Sequence, residues 1–437
     1  MSAGTMRNSG IEWIGDVPAH WEFKRLKYTS TLAGRIGWQG LTSEEYRTEG
    51  VHLVTGTDFK EGRIDWDSCV RVSEARWAEA TQVQLREGDL LITKDGTVGK
   101  VAKCVDLPGK ASLNSGVMVI RHKVPMSTHF LYWVLQSPVF TGWFSDANAG
   151  ASTISHLYQA DFYNFGFYVP PTVREQELVA SLLDAETAKI DQAMSLLRRE
   201  LETMEQLKKS LIYEAVTKGL DPTVPMRPSG VDWIGDIPEH WVTKRLRYVA
   251  SAKTGQTPPS DDPTYFDGPV TWYTPSDINN DHVYGSARTL TLKAVSEGRA
   301  PLISAGVTLF VGIGATIGKV GFSNSACSFN QQITALPTST DSAEWLFYAM
   351  QAQRDFIVGQ ALFTTLPIVN NGSLGNLLLP IPPAGEQSEI AATLNKRISH
   401  IDQIVAVKKQ QSETLTRQRE SLIFEYVTGK RRVNEVA

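Results

Sequence analysis

The sequence predicts an α+β chain: two mixed α/β domains separated by two long helices that pair as an antiparallel coiled coil, in a pseudo-two-fold internal repeat. Three observations carry that expectation. A short opening segment occurs twice, a long proline-flanked helical segment also occurs twice, and dissimilar strand-rich stretches fill the intervals between them.

The opening segment, residues 9–28, reads SGIEWIGDVPAHWEFKRLKY, and residues 229–248 read SGVDWIGDIPEHWVTKRLRY. Thirteen of twenty positions are identical at an offset of 220, and four more exchange Ile with Val, Glu with Asp or Lys with Arg. His20 and His240 hold equivalent places in the two copies, beside Trp21 and Trp241. A structural role in packing those indoles is the expectation there, rather than catalysis.

The helical segment, residues 175–216, aligns without gaps with residues 386–427, and fourteen of forty-two positions match. Each copy follows a proline pair, Pro170-Pro171 or Pro382-Pro383. Proline ends the preceding element and is tolerated only before a helix or in its first turn. Neither segment contains Pro or Gly. In the first, Leu183, Ile190, Leu197, Met204 and Leu211 recur every seven residues, joined by Met194 and Leu201. In the second, Leu394, Ile401, Leu415 and Leu422 keep that register, Lys408 interrupts it, and Ile398 and Val405 widen the stripe. A seven-residue apolar repeat winds a helix around a partner helix. At about 1.5 Å per residue each helix would be roughly 60 Å long, and its twin is the natural partner.

The stretches at residues 30–168 and 250–380 resemble each other only at landmarks. Residues 88–101, GDLLITKDGTVGKV, echo residues 306–320, GVTLFVGIGATIGKV. Short β-branched and aromatic runs punctuated by Gly, Pro, Asn and Asp read as strands with tight turns, with helical stretches at residues 130–136 and 343–354. The resulting division is residues 1–168 and 220–380 as the two variable domains, with residues 169–219 and 381–437 as the long-helix regions.

Composition narrows the class. The chain has 437 residues, long enough for more than one core, with 42% hydrophobic and 21% charged residues, as in ordinary globular proteins. No run of about 18 apolar residues occurs, so no membrane helix is expected, and residues 1–10 lack a signal-peptide core. Three widely spaced cysteines suggest neither a zinc site nor a disulfide framework, and a cytoplasmic setting fits best. The net charge is −4. Residues 24–166 carry 16 Lys/Arg against 15 Asp/Glu, and residues 244–380 carry 9 against 9. Binding to nucleic acid would therefore rest on local placement or on partner subunits, not on bulk positive charge.

The enzymatic motifs fail on inspection. Residues 310–314, FVGIG, match a glycine loop used for S-adenosylmethionine, but no Asn/Asp-Pro-Pro-aromatic tetrapeptide accompanies it. Around Gly99-Lys100 and Gly318-Lys319, a phosphate loop would need glycine at the positions of Lys94 and Ile313, and Ser or Thr at those of Val101 and Val320. No HExxH or GxSxG occurs, and no metal site is expected.

The order of IEWIGDVPAHW and VDWIGDIPEHW, each leading into a variable domain, then PP, EQ and a long helix ending SLIYEAVTKG or SLIFEYVTGK, resembles the specificity subunits of type I restriction–modification systems. The resemblance spans nearly the whole chain. The TxGK turns are similar to parts of that family's target recognition domains, as are residues 34–40 leading to residues 54–59, and residues 254–258. It implies a non-enzymatic DNA-binding subunit serving host defence, with no cofactor of its own. Each domain would read half of a split target in double-stranded DNA, and the helices would fix the gap between the halves. Two methyltransferase subunits would methylate adenine N6 with S-adenosylmethionine. Two restriction subunits, where present, would use ATP and magnesium to translocate and cut DNA.

Direct readout favours Arg or Lys on guanine and Asn or Gln on adenine. The candidate base contacts are Arg35, Gln39, Thr57, Lys60, Lys94 and Lys100 in the first domain, and Gln256, Thr257, Tyr273, Lys319, Asn330 and Gln331 in the second. Trp38 and Tyr273 are candidates to stack on a displaced base, against the plainer expectation that they fill the core. Three other readings stand beside this one: a two-subunit system whose partner both methylates and cuts, a coiled-coil scaffold that reads no DNA, and a methyltransferase in its own right.

Overall fold

Continuous apolar runs such as Leu90-Leu91-Ile92 and Val307-Thr308-Leu309-Phe310-Val311 are buried along their whole length, as strands covered on both faces must be. They form the centres of two separate sheets. The computed structural model describes residues 5–35, 40–148, 156–338, 343–359, 362–363 and 367–431. It divides into two units, one formed by Met1–Leu197 with Gln410–Ala437 and the other by Arg198–Lys409.

In the first unit the strands are β1 (Glu22–Arg25), β2 (Ser30–Gly34), β3 (Val51–Val54), β4 (Phe59–Lys60), β5 (Arg63–Ile64), β6 (Val70–Val72), β7 (Leu90–Thr93), β8 (Val101–Lys103), β9 (Ala111–Leu113) and β10 (Val117–His122). Helices α1 (Thr128–Leu135) and α2 (Pro138–Ala147) and strand β11 (Gly166–Val169) follow, then α3 (Val173–Lys218). A six-stranded sheet runs β2-β10-β7-β8-β5-β4, a three-stranded one runs β9-β3-β6, and β11 pairs with β1. Ser127 starts α1 by accepting from the Phe130 amide at 2.9 Å, which satisfies a donor that the first helical turn leaves open.

In the second unit the strands are β12 (Val242–Arg245), β13 (Lys253–Thr254), β14 (Phe266–Tyr273), β15 (His282–Val283), β16 (Thr289–Leu290), β17 (Val307–Val311), β18 (Val320–Ser323), β19 (Ser328–Phe329) and β20 (Ile333–Leu336). Helix α4 (Ala343–Ala352), strand β21 (Leu378–Ile381) and helix α5 (Ala384–Val427) follow among other short elements, with α5 running on into the first unit from Gln410. The sheets run β13-β20-β17-β18-β15 and β16-β14-β19, and β12 pairs with β21. Strand for strand this is the order of the first unit without its last edge strand, β4. The same topology is therefore built twice from dissimilar sequences.

Each unit's main core ties the repeated opening to the long helices. In the first, Trp21 and Leu26 pack with Val179, Ala180 and Leu183 of α3 and with Leu422, Ile423, Tyr426 and Val427 of α5. In the second, Trp241 and Leu246 pack with Ile212, Ala215 and Val216 of α3 and with Ile390, Ala391, Leu394 and Ile398 of α5. The start of one helix thus meets the end of the other within each unit. Ion pairs follow the same antiparallel order: Asp191 with Arg419 at 2.8 Å in the first unit, and Glu200 with Lys408 at 2.6 Å and Lys208 with Asp402 at 2.9 Å in the second. Lys408, the residue that interrupts the seven-residue stripe, is one of these partners. Along the stripe Leu183, Leu394, Ile401 and Leu422 are buried, whereas Ile190, Leu197, Met204, Leu211 and Leu415 are half-buried. In the last turns of α3 it is Ile212, one place on from Leu211, that enters the core.

The repeated motifs have a local explanation. Trp21 Nε1 donates to Glu175 at 3.2 Å, and His20 Nε2 lies 3.3 Å from the same carboxylate. Trp241 Nε1 donates to Glu386 at 2.9 Å, with His240 Nε2 at 2.7 Å. The next residue, Gln176 or Gln387, is buried and donates back to Pro170 O or Pro382 O at 2.9 Å. The HW and PP-EQ motifs are therefore two halves of one clasp holding each long helix to its domain. His20 and His240 have the structural role expected of them, although they act through the carboxylate more than by packing on the indole.

Candidate nucleic-acid interface

Antiparallel pairing of β10 with β7 and β2 sets Val117 opposite Thr93 and Met118 opposite Gly34, so the connections beyond these residues emerge at one end of the sheet. Two further bonds draw in the neighbouring loops: the Asn114 amide donates to Val54 O at 2.9 Å, and the Lys94 amide to Gly116 O at 2.9 Å. Residues 55–58, 94–100 and 114–116 thereby meet in one cluster.

The second unit makes the same cluster by the same bonds. The Asn330 amide donates to Tyr273 O at 3.0 Å, and the Gly312 amide to Gln332 O at 2.8 Å. The TxGK turns match as well. Gly99 N bonds Thr93 O at 3.0 Å and Gly318 N bonds Val311 O at 2.9 Å, while Thr93 N and Val311 N each reach the carbonyl of the following lysine at 2.9 Å. Gly99 and Gly318 have φ of 87° and 85°, a left-handed conformation that costs glycine nothing. This is what the glycine before lysine is for: it closes a strand-to-strand turn, as the failed phosphate-loop pattern allows.

The expected contacts fall in several places. Thr57 and Lys100 are exposed and Lys94 is half-buried, and all three belong to the first cluster. Gln256, Thr257 and Gln331 are exposed and, with Arg299, line a cavity of about 520 Å³, where the Thr257 hydroxyl donates to Gln331. Gly255 lets this loop approach, because a Cβ there would lie 2.2 Å from Asn330 O and 2.3 Å from Phe329 O. Lys319 is half-buried beside the second TxGK turn. Lys60 is exposed on the edge strand β4 and engaged by Asp65, which holds its ammonium pKa above the usual lysine value.

Three expectations are corrected. Arg35 is 5% exposed, and its guanidinium donates inward to Ser112 Oγ at 3.0 Å and to Leu113 O, so it braces the cluster from beneath. Tyr273 is 1% exposed, with its ring in the core beside Phe329 and Ile333. It is therefore a core residue and not a platform for a base. Asn330 is 8% exposed and its side chain holds the turn to Gln332, donating to Oε1 and accepting from the amide, each at 3.1 Å. Arg35 and Asn330 are polar residues that read as exposed in sequence but bond inward, and Tyr273 fills the core. Gln39 and Trp38 lie outside the described residues.

Sequence reading missed Thr55, Asp58, Thr274, Ser276 and Asp277. The Thr55 amide and hydroxyl donate to Asp58 Oδ2 at 2.7 and 2.9 Å, and Thr57 Oγ1 is 2.7 Å from Thr55 Oγ1. The Thr274 amide and hydroxyl donate to Asp277 Oδ2 at 2.7 and 2.8 Å, and Ser276 Oγ is 2.7 Å from Thr274 Oγ1. The signal was present as TGTD and TPSD, each closing the strand that precedes the cluster. Among the described residues no group of three or more His, Cys, Asp or Glu is placed to hold a metal ion, and no helix is long and apolar enough to cross a membrane.

Comparison with known proteins bears on the whole chain. A family profile described as type I restriction modification DNA specificity domain matches residues 43–202 and again residues 238–417. A Methanocaldococcus jannaschii protein, provisionally designated the type I restriction enzyme MjaX specificity subunit, is 21% identical over 435 residues, covering 96% of each chain. The type I restriction enzyme MjaIX specificity subunit of the same organism is 28% identical over 188 residues, covering 42% of each. A chain from a structure of type I R-M system assembly and conformational transition has a TM-score of 0.69 at 18% identity, over 95% of this chain and 99% of that one. That likeness is one of fold.

Proposed function

Because the chain belongs to the type I restriction–modification DNA specificity family, we propose that it reads a bipartite DNA target, half with each variable domain, and directs the chemistry of partner subunits without catalysing any itself. The partners would be double-stranded DNA, two methyltransferase subunits that methylate adenine N6 with S-adenosylmethionine, and two restriction subunits that use ATP and magnesium to cut. Residues 1–168 and 220–380 serve as the readers. Residues 169–219 and 381–437 serve as the helical spacer, paired as an antiparallel coiled coil that sets the unspecified gap. The setting is the cytoplasm.

The observation that carries this reading is the pair of loop clusters: the same backbone construction in each unit, presenting different side chains. A shared frame with divergent loops is what two readers of two different half-sites require, since base identity is read by side chains at groove edges while phosphate contacts only position. Near-neutral domains fit a subunit whose partners supply much of the phosphate attraction. Two linked readers gain by effective concentration only when both half-sites stand at the right separation.

Domain exchange tests it. Replacing residues 250–380 with the corresponding stretch of a relative should change one half of the methylated sequence and leave the other half intact. A sequence unchanged in both halves would remove the second domain from recognition and favour a scaffold.

A further inference from the structure

The duplicated Thr-Asp clasp has a hydrogen-bond direction that decides what it can recognise. An ionised carboxylate only accepts, and a hydroxyl has one proton to give. Asp58 is 3% exposed and receives the Thr55 amide and the Thr55 hydroxyl. The Thr55 proton is thereby spent on Asp58, so in the 2.7 Å contact between Thr55 Oγ1 and Thr57 Oγ1 the donor is Thr57. Its outward face then offers lone pairs alone. The same relay runs from Ser276 through Thr274 to Asp277. Thr57 and Ser276 are both exposed and follow the strand whose end anchors the loop cluster.

An acceptor-only group is wrong for a phosphate oxygen and right for a base amino group. We propose that Thr57 in the first domain and Ser276 in the second each accept a hydrogen bond from an exocyclic amino group on a base edge of the target, adenine N6 or cytosine N4 in the major groove. Thr55 and Thr274 are positioning residues that fix the polarity. Lys94 and Lys100, in the same cluster as Thr57, suit the flanking phosphates. The proposal rests on the reading of the chain as the DNA-recognition subunit, and its test separates the two.

Every base pair carries one major-groove amino group, so the test pairs protein and DNA changes. With the chain assembled on its methyltransferase, binding would be measured to duplexes bearing the methylated target, with purine replacing adenine or 2-pyrimidinone replacing cytosine at one position at a time. At one position of one half-site, deleting the amino group should weaken the unsubstituted complex about tenfold and leave Thr57→Val indifferent. Thr57→Ser should behave as the unsubstituted chain. Ser276→Ala should show the same coupling in the other half-site, with Ser276→Thr retaining it. Thr55→Val releases the Thr57 proton and should shrink the coupling. Additive effects of Thr57→Val and amino deletion at every position would overturn the proposal, as would uniform weakening across both half-sites. Absence of any sequence-dependent binding by the unsubstituted complex would instead refute the recognition reading itself.

Discussion

Burial sets the chemistry of several single groups. The Cys69 and Cys104 thiols are pushed up to about 12 by burial first and by nearby Asp58 and Asp89 second, and burial raises Cys327 to about 11. A thiol reacts as its thiolate, so all three cysteines should resist alkylation near pH 8 in the folded chain and react readily in denaturant; fast labelling under native conditions would contradict the burial. His122 is driven the other way, to about 4, by burial, and its Nδ1 lies 3.0 Å from Ser30 Oγ. Its folded pKa lies below the ordinary 6.5, so the unfolded chain takes up the proton first as pH falls. Its contribution to stability is full above about pH 6.5 and is lost on going down to about pH 4, amounting to at most about 3 kcal/mol. Urea unfolding of the chain and of His122→Asn across that window should show a smaller pH slope in the variant.

Among the elements, the long helices bear the most predictive weight. Leu183 and Leu394 occupy corresponding places in the repeat and are 0% and 1% exposed in the two cores. Truncation of either to Ala should cost about 2–5 kcal/mol. The loss should be read in chemical denaturation, with each substitution acting on its own unit. The clasp should matter in parallel: Glu175→Ala or Glu386→Ala strands an indole N–H that now donates to the carboxylate, at about 1–3 kcal/mol. Glu200–Lys408 and Lys208–Asp402 are partly exposed pairs, each expected to contribute less than about 1 kcal/mol in a double-mutant cycle. Lengthening both helices by four residues adds about 6 Å, so the unspecified gap in the target should grow by about two base pairs at roughly 3.4 Å each. A methylated motif of unchanged gap would count against the spacer role.

For the whole molecule, what was legible in sequence followed the physics of each signal. Period-seven stripes, proline pairs and a repeated HW segment are local patterns, and the long helices α3 and α5 stand where those patterns point. At the end of α3 the stripe misled, for it is Ile212 and not Leu211 that turns inward against the second unit's core. The loop clusters were harder to read. Arg35 and Asn330 are polar residues that read as surface, and Tyr273 left both readings open, yet each is recruited inward to satisfy a turn or fill a core, a tertiary choice that no local pattern encodes. Ser276 was missed for the converse reason, since it gains meaning only through its partner Thr274, whose own proton goes to Asp277. The central claim is that this chain chooses the DNA sequence its partners act on. Single-molecule methylome sequencing tests it most directly, in cells carrying the chain with its neighbouring methyltransferase and in cells lacking the chain alone. The account predicts N6-methyladenine at one split motif of fixed gap that vanishes when the chain is removed; a motif that persists without it, or methylation that never appears, would contradict the account.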